Sequence, residues 1–325
     1  MLKSKITGTG SFLPVRSMDN TYLSTIVDTS DEWITERTGI RSRHIASDET
    51  TVSMGIAAAE KALAMAGLDA NELGLILVAT FTPDYIMPNT ACMIQAALGA
   101  SNAVCFDINA ACSGFLYGLQ TADAYIRSGM CKHALIIGTE TISRTVDWND
   151  RSTCILFGDG AGAAVLSPSS DDSGFLDFVS GSDGSKGAVL ELKNRPIVNP
   201  YQKQDANNTL SYLFMNGQEV FKFAVRKIPE MVLSLSERNH ITPEDVSHYI
   251  LHQANIRIIQ AAAKRLNLPE ERFPTNLSSC GNTSAASIPI LLDEYNRAGK
   301  LAKGDLVFLS GFGGGLTWGS TLLKW

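Results

Sequence analysis

Two stretches, LDANELGLILVAT (68–80) and ITPEDVSHYILHQ (241–253), follow one plan. Each has an apolar residue, a turn-forming polar residue, two further residues, and then an acid followed by Leu or Val. Each follows a helical pattern and runs on into an apolar segment of strand length. A unit used twice constrains the fold strongly, because neither copy buries its apolar face alone and the two must pack together. The repeat predicts a duplicated chain whose join falls near SPSSDDSG (167–174), a polar, turn-like segment. The expected units are residues 1–170 and 171–325, and 325 residues suffice for two fused cores.

The rest of the chain fits that reading. LGLILVAT (73–80), ALIIGTE (134–140), AGAAVLS (161–167), VSHYILHQ (246–253) and DLVFLSGF (305–312) have the length and apolar character of buried strands. Helical periodicity runs over 53–67, 114–129, 217–239, 255–267 and 286–299. Alternation on this scale predicts an α/β layered fold. The turn-rich NRPIVNPYQKQDANN (194–208) reads as an excursion from the second half.

Several function classes fall away. A net charge of −6 argues against general nucleic-acid binding. The opening MLKSKITGTGSFLP has no apolar signal core, and no run approaches the roughly 20 apolar residues of a membrane helix, so a cytoplasmic protein is expected. The six cysteines, Cys92, Cys105, Cys112, Cys131, Cys154 and Cys280, form no C-x-x-C pair and have no histidine at zinc spacing. They read as reduced thiols.

One of them stands apart. In DINAACSGFLYGL (107–119), Cys112 sits among small residues between an apolar run and a helical one. A thiol at a helix N-terminus feels the positive end of the dipole, so its pKa is expected to fall below the usual ~8.5. The motif alone fits a nucleophile and a small core residue equally. His252 ends a very apolar strand, whereas His44, His133, His240 and His248 have more polar neighbours. Asn282, in TNLSSCGNTSAAS (275–287), occupies a strand-end, helix-start position like that of Cys112. Two halves packed about a pseudo-twofold axis bring these three residues to one site. The glycines of GFGGGLTWGS (311–320) permit close backbone approach, and their N–H groups suit an oxyanion hole or simply a tight turn. GDGAGAAVL (158–166) lacks the strand–turn–helix context of a dinucleotide loop and reads as a glycine-rich bend.

Taken together, DTSDEWITERTGIRSRH (28–44), AACSGF (110–115), FGDGAGAAVL (157–166), HQANIRII (252–259), GNTSAAS (281–287) and GFGGGLTWGS (311–320) resemble the β-ketoacyl-acyl carrier protein synthase III family, in order, from about residue 3 to residue 325. The resemblance implies a thiolase-like α/β fold with two duplicated βαβαβαββ-type halves in a five-layered α-β-α-β-α arrangement, assembled as a homodimer. It implies a decarboxylative Claisen condensation of a short acyl-CoA primer with malonyl-acyl carrier protein, initiating fatty acid synthesis. Acyl-CoA is then a substrate, and no cofactor or metal is expected. The alternative is a related acyltransferase of secondary metabolism with another acceptor. Elongating synthases resemble a Cys-His-His set, but here Asn282 takes the third place, and the second catalytic cysteine of thiolases has no counterpart in SGFGGG (310–315).

Residue by residue, the family pattern implies Cys112 as acyl acceptor, His252 and Asn282 as its partners, and the N–H groups of Cys112 and Gly314 around the acyl oxygen. Trp33 and Arg151 match a sandwich for the adenine of coenzyme A. Thr29, Arg37, Gly217 and Phe221 match further contacts to it, and Gln218 stands where the pattern has Asn. Lys222, Arg257, Lys264 and Arg265 match a basic rim for the acidic carrier protein. Phe157 and Met87 match the acyl pocket. Met87 lies in FTPDYIMPNTACMIQ (81–95), which resembles the segment that crosses the dimer interface, and acetyl-preferring members have Phe there.

Overall fold

The computed structural model describes residues 3–194, 200–201 and 211–325. Nine strands form the two main sheets: β1 (Lys3–Phe12), β2 (Leu73–Ala79), β3 (Val104–Ile108), β4 (His133–Glu140), β5 (Gly160–Ser169), β6 (Gly174–Ser182), β7 (His248–Leu251), β8 (Leu306–Gly313) and β9 (Thr317–Lys324). The first sheet has the order β1-β5-β4-β2-β3 and the second β7-β8-β9-β6. Read from β6, the second sheet runs β6-β9-β8-β7, which repeats the order β1-β5-β4-β2. The orientations repeat as well: β2 is parallel to β4 and β7 to β8, while β5 and β9 are antiparallel to both neighbours. The duplication is short by one strand. Nothing among the described residues pairs with β7 as β3 pairs with β2, because the chain before Asn276 turns through a short 3-10 helix, Glu270–Arg272. On this evidence we propose that residues 1–170 and 171–325 are copies of one unit.

Five layers follow from the period-two pattern of the strands. Leu75, Leu77, Ala134 and Ile136 of the first sheet, with Ile250, Val307 and Leu309 of the second, face a central pair of helices. Two of the principal helices form that pair: α2 (Gly114–Arg127) and, late in the chain, α5 (Ser287–Arg297). The alternate residues Ile76, Val78, Leu135 and Ile137 face α1 (Thr51–Ala66) on one outer side. Tyr249, Leu251 and Phe308 face α3 (Gly217–Arg238) and α4 (Ile256–Leu266) on the other. Strands covered on both faces need no polar side, so they read as continuous apolar runs.

Close approach at two places sets the site. A β-carbon on Gly138 in β4 would lie 2.2 Å from the Ala285 carbonyl oxygen, so glycine lets the turn before α5 rest on the first sheet. The glycines of 158–166 do not form the expected bend. Gly160 and Gly162 lie within β5, and a β-carbon on Gly162 would sit 2.7 Å from the Ile290 amide. They are small because α5 crosses them. Most of the expected excursion at 194–208 lies outside the described residues.

Candidate active site

Cys112, His252 and Asn282 come from three strand or turn ends and meet at the end of the central helix layer. Cys112 lies in a 3-10 turn, Ala111–Ser113, that opens α2. Gly313, the last residue of β8, is seated on that turn; a β-carbon there would stand 2.7 Å from the Cys112 amide nitrogen. His252 follows β7 directly. Its N–H donates to the Ser310 carbonyl at 2.8 Å, and its ring meets Phe312 edge-on at 5.4 Å. Asn282 is pinned by its own N–H donating to the Leu156 carbonyl at 2.9 Å and by its carbonyl accepting the Gly158 N–H at 3.0 Å. Its Oδ1 accepts the Ser284 N–H at 2.9 Å. That bond commits the oxygen end of the amide to the backbone and leaves the Nδ2 hydrogens for the site.

Two cavities meet at Cys112. One, of about 320 Å³, is lined by Cys112, His252 and Asn282 at its base and by Phe157, Gly217, Phe221, Arg37 and Trp33 toward its mouth. The other, of about 350 Å³, is lined by Cys112, Ser284, Phe157, Phe81, Leu213 and Gly314. Phe157 and Leu190 border both. A third cavity of about 460 Å³, between Lys5, Asp171, Lys324 and Trp325, shares no lining residue with either. Among the described residues no cluster of His, Cys, Asp or Glu is arranged to hold a metal ion.

Electrostatics overturn one expectation. The Cys112 thiol is not acidified: burial pushes its pKa up to about 12. The negative charge of Glu140 adds to the rise, and the Ser284 hydroxyl opposes it. The helix start is there, but desolvating the thiolate outweighs it. Glu140, at the end of β4, is fully buried and raised to about 8 by burial, although Thr80 Oγ1, Thr82 Oγ1 and the Phe81 and Thr82 amides all donate to it. His252 is driven down to about 3 by burial alone, which keeps it neutral. His133 also departs from its expected polar setting: it is buried, with Nδ1 2.8 Å from Ser167 Oγ.

The outer mouth is built on a helix, Asp31–Thr38, whose first turn is capped by Ser30. The i, i+4 spacing stacks Arg37 on Trp33 at 4.7 Å, and Arg151 stands 5.1 Å from the same ring. A base between Trp33 and Arg151 needs two van der Waals contacts, about 7 Å in all. Arg151 is held by the Asp28 carbonyl at 2.9 Å, and its 5.1 Å spacing from Trp33 is too short for a base between the two. Asn255, the cap of α4, ties this helix to the second half by donating to the Arg37 carbonyl at 3.0 Å.

Not every expected residue is at the site. Thr29 lines neither cavity, and its buried hydroxyl has no partner. Met87 is 87% exposed and lines neither cavity of its own chain. Lys222, Arg257, Lys264 and Arg265 are exposed on the packed pair α3 and α4. Lys222 pairs with Glu219 at 2.8 Å, Arg257 lies 5.9 Å from the Phe221 ring, and Arg265 donates to the Val225 carbonyl at 2.9 Å. Sequence reading missed Phe81, Leu190, Gly313, Glu140 and Ser284. Only Ser284 had a readable signal, since Asn-x-Ser at 282–284 matches Asn-x-Ala at 109–111.

Comparison with known proteins gives a consistent picture. Residues 106–184 match the family model described as 3-oxoacyl-[acyl-carrier-protein (ACP)] synthase III, and residues 236–325 match the model of its C-terminal part. The chain is 49% identical over 324 residues to the beta-ketoacyl-[acyl-carrier-protein] synthase III of Clostridium perfringens, covering 100% of both chains. It superposes on the crystal structure of 3-oxoacyl-[acyl-carrier-protein] synthase III from Aquifex aeolicus with a TM-score of 0.92 and 48% identity, over 99% of this chain and 100% of that one. The priming β-ketosynthase of the R1128 polyketide pathway superposes with a TM-score of 0.93 at 37% identity, over 99% and 96% of the two chains.

Proposed function

The chain belongs to the 3-oxoacyl-[acyl-carrier-protein] synthase III family, and from that we infer that it condenses an acyl-CoA primer with malonyl-acyl carrier protein, initiating fatty acid synthesis. It is an acyltransferase of the thiolase-like condensing type. A priming role in secondary metabolism is not favoured, since the full-length matches at 49% carry the name beta-ketoacyl-[acyl-carrier-protein] synthase III and the polyketide relative stands at 37%.

One observation carries the reading: a single thiol, Cys112, stands where two cavities meet. The cavity that opens beside Trp33 and Arg37 suits the pantetheine arm, and the other suits the acyl chain. In our assignment the Cys112 sulfur attacks the primer thioester and neutral His252 takes the thiol proton, passing it to the departing CoA sulfur. The developing oxyanion meets the backbone N–H groups of Cys112 and Gly314. Malonyl-carrier protein then enters by the same cavity. His252 Nε2 and Asn282 Nδ2 donate to its thioester oxygen as CO2 leaves, and the resulting carbanion attacks the acyl-Cys112 thioester. Each step uses only side chains, backbone amides and the two substrates. Incubation with acetyl-CoA and malonyl-carrier protein should yield 3-ketoacyl-carrier protein, CO2 and CoA in equal amounts. Acyl loading with no ketoacyl product would defeat the assignment.

We further propose a cytoplasmic homodimer. No helix among the described residues is long and apolar enough to cross a membrane. Tyr85, Ile86 and Met87 form an exposed apolar tip, and Val104, on the edge strand β3, is 58% exposed. An open apolar edge and tip of this kind call for a partner. If Met87 reaches the partner's acyl cavity, its flexible side chain leaves room for longer primers than a Phe ring would. Comparing kcat/KM for acetyl-, propionyl-, butyryl- and isobutyryl-CoA tests this. Met87→Phe should lower the longer primers by about fourfold per excluded methylene while sparing acetyl-CoA. An unchanged profile would remove Met87 from the pocket.

Carrier-protein docking is assigned to Lys222, Arg257, Lys264 and Arg265, a local basic face on an acidic chain. Arg257→Glu should raise the KM for malonyl-carrier protein roughly 3- to 10-fold, since an exposed attraction becomes a repulsion, and should leave the KM for acyl-CoA far less changed. The effect should shrink with salt, given a Debye length of about 8 Å at physiological ionic strength. A KM indifferent to both would put the docking face elsewhere.

A further inference from the structure

The turns that open the two central helices are copies of each other. In one, the Ala111 N–H donates to Asn109 Oδ1 at 3.3 Å; in the other, the Ser284 N–H donates to Asn282 Oδ1 at 2.9 Å. Ala111 and Ser284 both hold a left-handed backbone, with φ of 46° and 49°. That conformation strains any residue with a β-carbon, and glycine would relax it. The first copy has only a methyl group there, but the second has a hydroxyl. Ser284 is 1% exposed and lines the acyl cavity with Cys112. Its Oγ is buried and makes no well-formed hydrogen bond. A buried hydroxyl left unpaired is costly, so strain and burial together call for a partner that arises during turnover. The reactive group it shares that cavity with is the Cys112 sulfur. The other ionisable groups facing that sulfur are Glu140 at the end of β4, which opposes a negative charge, and His252 after β7, which is neutral.

We propose that Ser284 is a catalytic residue whose hydroxyl donates a hydrogen bond to the Cys112 sulfur when that sulfur becomes anionic. The proposal rests on Cys112 being the acyl acceptor. During loading, the thiol proton moves to His252, a sulfur lone pair forms the new C–S bond, and the bond from the acyl carbon to the CoA sulfur breaks. The CoA sulfur takes the proton. During condensation, the carbanion left by CO2 forms the C–C bond, the acyl–Cys112 bond breaks, and the sulfur leaves with the electron pair; a solvent proton restores the thiol. Anionic sulfur therefore occurs twice, each time in a buried setting. A neutral donor at position 284 stabilises it without introducing a cation.

The test uses Ser284→Ala, which suits the backbone because Ala111 holds the same conformation, and Ser284→Gly, which relaxes it. Both variants should slow iodoacetamide alkylation of Cys112 at pH 9, and acetyl loading at pH 7 followed by intact mass, by roughly 10- to 100-fold, the range for a hydrogen bond to a charged group. Wild-type rates in either folded variant, with Cys112 loaded in the wild type, would overturn the proposal. A wild type that does not load Cys112 would instead overturn its assignment as acceptor.

Discussion

Cys112→Ala is expected to abolish acyl loading and to lower condensation on the order of 10⁵- to 10⁶-fold, the scale seen when a covalent nucleophile is removed. Intact-mass analysis of the wild type with acetyl-CoA should show one added acetyl group, mapping to Cys112. The other thiols are poor competitors for physical reasons. Cys154 and Cys280 are buried, line neither cavity, and are pushed up to about 11 and about 12 by burial. Cys105 is likewise raised to about 11. Acidity does not single out Cys112, because its own thiol is pushed as high. Position does: it is the cysteine that both cavities reach. Resting Cys112 should accordingly react slowly with small alkylating agents at neutral pH yet acylate readily from a bound thioester, which brings the carbonyl to the oxyanion donors and His252 to the thiol. An acetyl adduct on Cys154 or Cys280 that survives Cys112→Ala would sink the assignment.

That contrast shows what the sequence does and does not carry. Strands covered on both faces leave long apolar runs, so β2, β4, β7 and β8 were legible, and the shared plan of 68–80 and 241–253 falls on β2 and β7, which hold matching places in the two sheets. The meeting of Cys112, His252 and Asn282 could be read because each lies where an apolar run gives way to small residues. The Cys112 pKa could not. It depends on how deeply the turn is buried and on Glu140, which belongs to another strand and is 28 positions away in sequence. The missing counterpart of β3 was equally hidden, since the lead-in to Asn282 resembles a strand end until its backbone is seen to turn at Glu270–Arg272. Arg151 over Trp33 belongs to the same class: family resemblance pairs the two residues, but only the structure gives their 5.1 Å spacing. Met87 marks a further limit: it is 87% exposed and lines neither cavity of its own chain.

His252→Ala and Asn282→Ala are expected to separate the two half-reactions. Malonyl decarboxylation builds negative charge on the thioester oxygen, and in the proposed assignment both residues donate to that oxygen from the walls of their cavity. Losing one such donor costs about 2.7–4 kcal/mol, or 10²- to 10³-fold in rate. In the proposed assignment acyl loading has its own donors, the Cys112 and Gly314 amides, so it should fall less, and least of all in the Asn282 variant. Neutral His252 should give this step no acid limb near the ordinary imidazole pKa. With its protonation pushed down to about 3, the ring carries the same single proton at pH 6 as at pH 8, so decarboxylation should stay flat across that interval. Asn282→Asp sharpens the test. A carboxylate can still accept the Ser284 N–H and keep the turn, but it presents an anion where Nδ2 presented a donor, so it should decarboxylate no faster than Asn282→Ala. The measurement is ¹⁴CO2 release from labelled malonyl-carrier protein, taken beside single-turnover acetyl loading in the same preparations. Equal loss of loading and decarboxylation in all three variants would mean that these side chains build the site as a whole and do not act on the malonyl oxygen.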